Sequence, residues 1–164
     1  MRSSGHASAV PTLGARGEGW VALQVAALAA VALSPLSGSR WGRRTARVRW
    51  AGAGLLGALA VAQLAAATVS LGSSLTPFPR PRPGAPLEEG SVFGLVRHPI
   101  YGGLILGSVG WSLAAGPAAL VPTALLAGVL DTKARLEEVW LIERYPGYED
   151  YRRAVTRRFI PGLW

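Results

Sequence analysis

The chain has 164 residues, 50% of them hydrophobic and 16% charged, with 17 Lys+Arg against 9 Asp+Glu and a formal net charge of +8. So few charges on so apolar a chain argue against a ribosomal or DNA-coating protein and for a membrane protein with basic flanks. The lack of cysteine excludes disulfides, thiolate metal sites and a cysteine nucleophile.

Residues 1–19 are small and polar and read as a flexible leader. The first apolar run, 20–36, would span about 26 Å as a helix, enough for a bilayer core. A signal peptide competes for this run, because Arg16 precedes an Ala-rich stretch that ends in small residues. The long polar leader and the later apolar runs favour a span. The loop 40–49 carries Arg40, Arg43, Arg44, Arg47 and Arg49. The second run, 50–71, is uncharged, and its Ala and Gly permit close helix packing. Its strongly polar Gln63 is expected to bond across to another helix. Residues 20–71 thus form two transmembrane helices.

Residues 72–164 form the rest of one membrane domain. Pro77, Pro79, Pro81, Pro83 and Pro86 make the linker an extended, stiff connector along the membrane surface. The runs 101–115 and 118–130 are separated by Gly116-Pro117, a turn signal, and predict a helical hairpin. Its second arm should continue past the membrane to about Tyr145, because Pro146 is the first breaker. A short helix then follows from Tyr148. The fold class is all-α: a polytopic membrane protein with about four transmembrane helices and a cytosolic cofactor site at the hairpin.

The hairpin brings chemistry together. It rises about 22 Å over 101–115 and returns about 30 Å over 118–137. Glu137 and Glu138 therefore come back to where Arg97, His98 and Tyr101 begin. Exposed N–H groups at that helix start hold anions, Arg97 forks onto a carboxylate, and Tyr101 offers a ring face to a cation. A ligand with both a carboxylate and positive charge suits the set. S-adenosylmethionine is such a ligand. The competing reading makes these residues interfacial anchors and Glu137 and Glu138 a solvated helix face paired with Lys133, Arg135 and Arg144.

Arg97-His98-Pro99-x-Tyr101-x-Gly103, Glu137-Glu138-x-x-Leu141, Tyr148-x-x-Tyr151 and Arg158-Phe159-Ile160-Pro161 stand in order along the chain. With Leu75-Thr76-Pro77-Phe78-Pro79 they resemble the integral-membrane methyltransferases of the isoprenylcysteine carboxyl methyltransferase and phospholipid methyltransferase group. The resemblance covers roughly residues 70–161. It implies S-adenosylmethionine as cofactor, bound on the cytosolic side of a bacterial inner membrane. It assigns Arg97, His98 and Glu138 to catalysis. Arg97, His98, Tyr101, Gly103, Glu137, Glu138, Tyr148 and Tyr151 would contact the cofactor, with Arg158 toward the substrate. Which Glu takes the ammonium and which the ribose is left open. The acceptor would be a small lipophilic or membrane-embedded carboxylate, thiol or amine, with no metal and no nucleic acid involved.

Two other readings stand beside this one. A non-enzymatic or degenerate family member would use the basic loop and Pro-rich linker as partner surfaces. A lipid-precursor reductase or isomerase would need a nicotinamide, but no Gly-rich dinucleotide turn is visible. A cytosolic site also sends the basic loop 40–49 outward, against the positive-inside rule. The rest of the chain counters this, with 12 basic residues inside against these five. The alternative keeps the first run from fully spanning and lays the loop on the inner surface.

Overall fold

A computed structural model describes residues 10–164. Five α-helices carry the fold, with no strand among the described residues: α1 (Glu18–Leu33), α2 (Ala46–Leu71), α3 (Pro99–Ala115), α4 (Leu120–Arg144) and α5 (Tyr148–Ala154). The flexible-leader reading lies outside the described residues for 1–9. Residues 10–17 fold back instead. The Trp20 indole donates to the Pro11 carbonyl at 2.8 Å, and the Arg16 guanidinium sits 3.8 Å from the Phe78 ring centroid.

Two helical stretches are long and apolar enough to cross a membrane, Glu18–Ser37 and Arg43–Ser74. Only 11% and 17% of their apolar windows are buried, whereas the core helix of a soluble protein would be mostly covered. Leu23, Val25, Leu55, Val61 and Val69 are exposed. So broad an apolar surface needs an apolar solvent or a partner. Helix α3 is also apolar but shorter.

Small residues set the closest packing. Gly103 and Gly110 of α3 meet Leu64 and Leu56 of α2, where an added Cβ would lie 2.7 and 3.2 Å from the nearest carbon of these side chains. Gln63 crosses this seam as the sequence predicts. Its Nε2 donates to the carbonyls of Pro99 and Phe159, both at 2.8 Å. The α3–α4 turn is made at Gly116, whose φ of 148° suits glycine.

Loop 40–49 lies at the C-terminal end of α3. Trp41 Nε1 donates to the Ser112 carbonyl and Arg49 Nη1 to the Leu113 carbonyl, both at 2.8 Å. The Arg49 bond falls on a carbonyl of the last helical turn, the Trp41 indole joins the Gly116 amide on the Ser112 carbonyl, and the cation complements the helix dipole. Arg97 to Tyr101 sit at the other end of α3, about 26 Å away.

Candidate functional site

Pro99 opens α3 at a position where its missing N–H costs nothing. The two residues before it pair with the C-terminal segment: the Arg97 and His98 amides donate to the carbonyls of Arg157 and Arg158 at 3.1 and 2.8 Å. Phe159 is thereby seated against His98 and Tyr101, fully buried. Helix α4 returns beside them, as the hairpin arithmetic requires.

Glu138 is the buried anchor. Its Oε1 accepts from Arg97 Nε at 3.0 Å, His98 Nε2 at 3.1 Å and Arg158 Nε at 3.3 Å. Arg97 Nη1 also donates to the carbonyls of Val155 and Thr156, at 2.7 and 2.9 Å. Arg158 Nη1 bonds Asp131 at 2.7 Å. One carboxylate thus ties the start of α3, the C-terminal third of α4 and the C-terminal segment together.

Glu137 turns the other way. It accepts from the Tyr101 hydroxyl at 2.8 Å, and His98 Nδ1 stands 3.6 Å from the same oxygen. The His98 and Tyr101 rings are stacked 5.5 Å apart at an interplanar angle of 2°. Beside them opens a cavity of about 440 Å³, within the usual range for small-molecule sites. Arg97, His98, Tyr101, Glu137, Tyr148 and Tyr151 line it. The Pro-rich linker supplies Pro77, Phe78 and Pro81, and α1 supplies Gln24.

Three of the predicted contacts fall elsewhere. Gly103 packs on Leu64 of α2 and does not line the cavity. Glu138 and Arg158 stand behind the wall, bonding residues on it or beside it. The spacing of two adjacent residues on a helix explains the split: they point about 100° apart. Tyr151 lines the cavity, but its hydroxyl donates to the Phe93 carbonyl at 2.7 Å. The Tyr148 hydroxyl is buried and has no hydrogen-bond partner among the described residues.

Lys133 was not singled out by its sequence. Its spacing suggests a surface pair with Glu137, yet the side chain is 1% exposed and bonds Gln24 Oε1 at 2.6 Å and the Pro77 carbonyl at 2.8 Å. Burial holds its basicity down to about 8, against a smaller opposing pull from Glu137.

The charges fix a pH dependence. Burial raises the Glu138 carboxyl, but His98, Arg158 and Arg97 outweigh it and hold the group at about 2. Burial lowers the His98 basicity, and the adjacent carboxylates of Glu137 and Glu138 outweigh it, for a net rise. Glu138 therefore contributes stability above its usual 4.5 that is lost as pH falls toward about 2. His98 contributes stability present below its ordinary 6.5 and lost as pH rises through its raised value. Thermal unfolding across pH should show both flanks, and His98→Asn should flatten the alkaline one. An unchanged alkaline flank in that variant would refute the assignment.

No protein-family model, curated protein or solved structure matches the chain.

Proposed function

We propose that this chain is a membrane methyltransferase that uses S-adenosylmethionine to methylate a lipophilic acceptor. The observation that carries the reading is the meeting of Arg97, His98, Tyr101 and Glu137 on the wall of one cavity, beside helices whose outer faces are apolar. The residues suit this donor. Glu137 has an oxygen with no hydrogen bond among the described residues, open to an ammonium or ribose hydroxyl. Tyr148 has a buried hydroxyl that a ligand would satisfy.

The donor supplies an electrophilic methyl group, which the acceptor's lone pair takes by in-line displacement. The protein's part is positioning and exclusion of water. Arg97 and Glu138 hold the start of α3 rigidly against α4, so that His98 and Tyr101 present fixed faces. Glu137 orients the Tyr101 hydroxyl. With an amine acceptor, Glu137 would take the proton.

The experiment is calorimetric titration of the purified protein in lipid nanodiscs with S-adenosylmethionine. Micromolar binding is expected, and no binding would sink the reading. Tyr148→Phe adds a sign test. Removing an unsatisfied buried hydroxyl should leave the free protein as stable or stabilise it by up to about 1 kcal/mol, while donor affinity falls by about tenfold. A fall in stability with unchanged affinity would show that the hydroxyl serves the fold.

In this reading α1 to α4 all cross a bacterial inner membrane. The site faces the cytosol, and loop 40–49 faces outward. The natural lack of cysteine makes the test direct. Arg44→Cys should react with an impermeant maleimide in intact cells, and Arg152→Cys should react only after permeabilisation. Equal labelling of the two positions from one side would overturn this topology.

A further inference from the structure

Lys133 is the unusual charge of the cavity. It lines the wall, is buried, and has no carboxylate within ion-pair distance among the described residues. The other cations near the site differ from it: Arg97 pairs with Glu138, Arg158 with Glu138 and Asp131, and Arg82, which has no ion pair among the described residues, is exposed and donates to the Ser73 carbonyl. The ammonium has three protons to give. Gln24 Oε1 and the Pro77 carbonyl take two, and both acceptors are neutral. The Tyr101 ring centroid lies 5.1 Å away, a weaker electrostatic contact.

A buried cation held by neutral groups is costly unless something supplies the opposite charge. Burial already weakens its hold on the proton. An anion delivered through the cavity would restore it. The neighbouring wall says what that anion is attached to. Leu71, Ile100 and Leu104 line the same cavity, and Ile100 and Leu104 are one helical turn apart on α3. They lead from the Tyr101 end toward the apolar middle of that helix.

We propose that Lys133 is an anion-binding residue that holds the acidic head of an amphiphilic ligand, whose apolar tail lies along Leu71, Ile100 and Leu104. This deepens the reading given under Proposed function, since it selects an acidic acceptor over an amine. Glu137, one turn further along α4, faces the same cavity with the opposite charge. The two positions divide the work. The carboxylate suits a cationic donor, and the ammonium suits an anionic partner beside it. The bonds to Gln24 on α1 and Pro77 in the linker fix the ammonium in place, which sets its selectivity in advance of binding.

The test uses the full chain in nanodiscs and three probes of equal tail length: dodecanoate, dodecylamine and dodecanol. Each competes against a fluorescent fatty acid. Binding of S-adenosylhomocysteine is followed separately by calorimetry. Dodecanoate should bind about tenfold or more tighter than dodecylamine, the range expected for a hydrogen bond to a charged group. Lys133→Met should erase that preference, and Lys133→Arg should keep most of it. Neither should move S-adenosylhomocysteine affinity by more than about twofold. Equal binding of the acid and the amine by the unaltered protein overturns the proposal, and needs no variant to fold. So does a Lys133→Met protein that still prefers the acid. If Lys133→Met instead loses S-adenosylhomocysteine, the ammonium serves the donor's own carboxylate and the assignment falls. If the unaltered protein binds dodecanoate through Lys133 but never S-adenosylhomocysteine, the anion site stands and the methyltransferase reading falls.

Discussion

Glu138→Gln is expected to lower stability by about 3–5 kcal/mol, the loss that follows when one partner of a buried ion pair is removed. The cost arises because the partners stay behind. Arg97, His98 and Arg158 all donate to the same oxygen of Glu138, and the Arg97 and Glu138 side chains are almost wholly covered. An amide of the same shape offers one neutral acceptor to two guanidiniums and an imidazolium. Donor binding should fail with stability, because the variant loosens the start of α3 and the segment around Phe159 together. Glu137→Gln supplies the contrast. That residue faces the cavity and accepts one hydrogen bond, from Tyr101. Its loss should cost stability little, about 1 kcal/mol. Donor affinity should fall about tenfold or more, since the ammonium loses its counter-charge. Thermal unfolding and calorimetry on both variants separate the two roles. A Glu138→Gln protein that melts with the unaltered one would remove the anchor role.

These adjacent residues also mark where sequence reasoning stops. Gly116-Pro117 and the lengths of the two apolar runs were enough to bring Glu137 and Glu138 back to Arg97, His98 and Tyr101. That meeting follows from helical rise alone. Which carboxylate faces the cavity depends on the rotation of α4. Rotation is set by side-chain packing across the bundle, for example the fully buried Leu126, Leu130 and Ala134. The i,i+4 spacing of Lys133 and Glu137 gave a surface pair, and the structure instead turns Lys133 toward α1. Spacing along one helix carries no information about a neighbour 109 residues away in sequence. Residues 157–159 lie beside Arg97 and His98 for the same reason. The signal is a backbone pairing, and backbone pairing leaves little mark on the side chains that make it.

The basic loop is clearer for being placed. Arg49 and Trp41 cap the far end of α3, so part of that charge has a structural task. Arg40, Arg43, Arg44 and Arg47 make no ion pair among the described residues. They stand between the two helices long and apolar enough to cross a membrane, where headgroup phosphates would meet them. The site end is different. Residues after 130 carry six acidic groups against seven basic ones. A nearly balanced set suits a zwitterionic ligand, and it explains why net charge alone pointed away from the site.

Gly102→Ala is expected to be among the most damaging single-methyl changes in the chain. Alanine normally gains about 1 kcal/mol over glycine within a helix. At position 102 that gain is overwhelmed. The new Cβ would fall on the Phe159 carbonyl oxygen and against Gln63 Nε2. The carbonyl belongs to backbone, so relief requires the C-terminal segment to move. Moving it breaks the Gln63 bond to Phe159 and strains the pairing of Arg97 and His98 with residues 157–158. Overpacking and one lost buried bond together come to about 2–6 kcal/mol. Donor binding should be lost in parallel, because Phe159 backs the His98 and Tyr101 rings. Gly54→Ala, Gly57→Ala and Gly128→Ala are the controls. Each lies inside a helix with nothing within 4 Å of the added Cβ, and each should be neutral or mildly stabilising. Thermal unfolding of the four variants, with limited proteolysis of the C-terminal segment, decides the matter. If Gly102→Ala melts with the controls and resists the protease as they do, the C-terminal segment does not lie against the start of α3, and the cavity wall described for this site is lost with it.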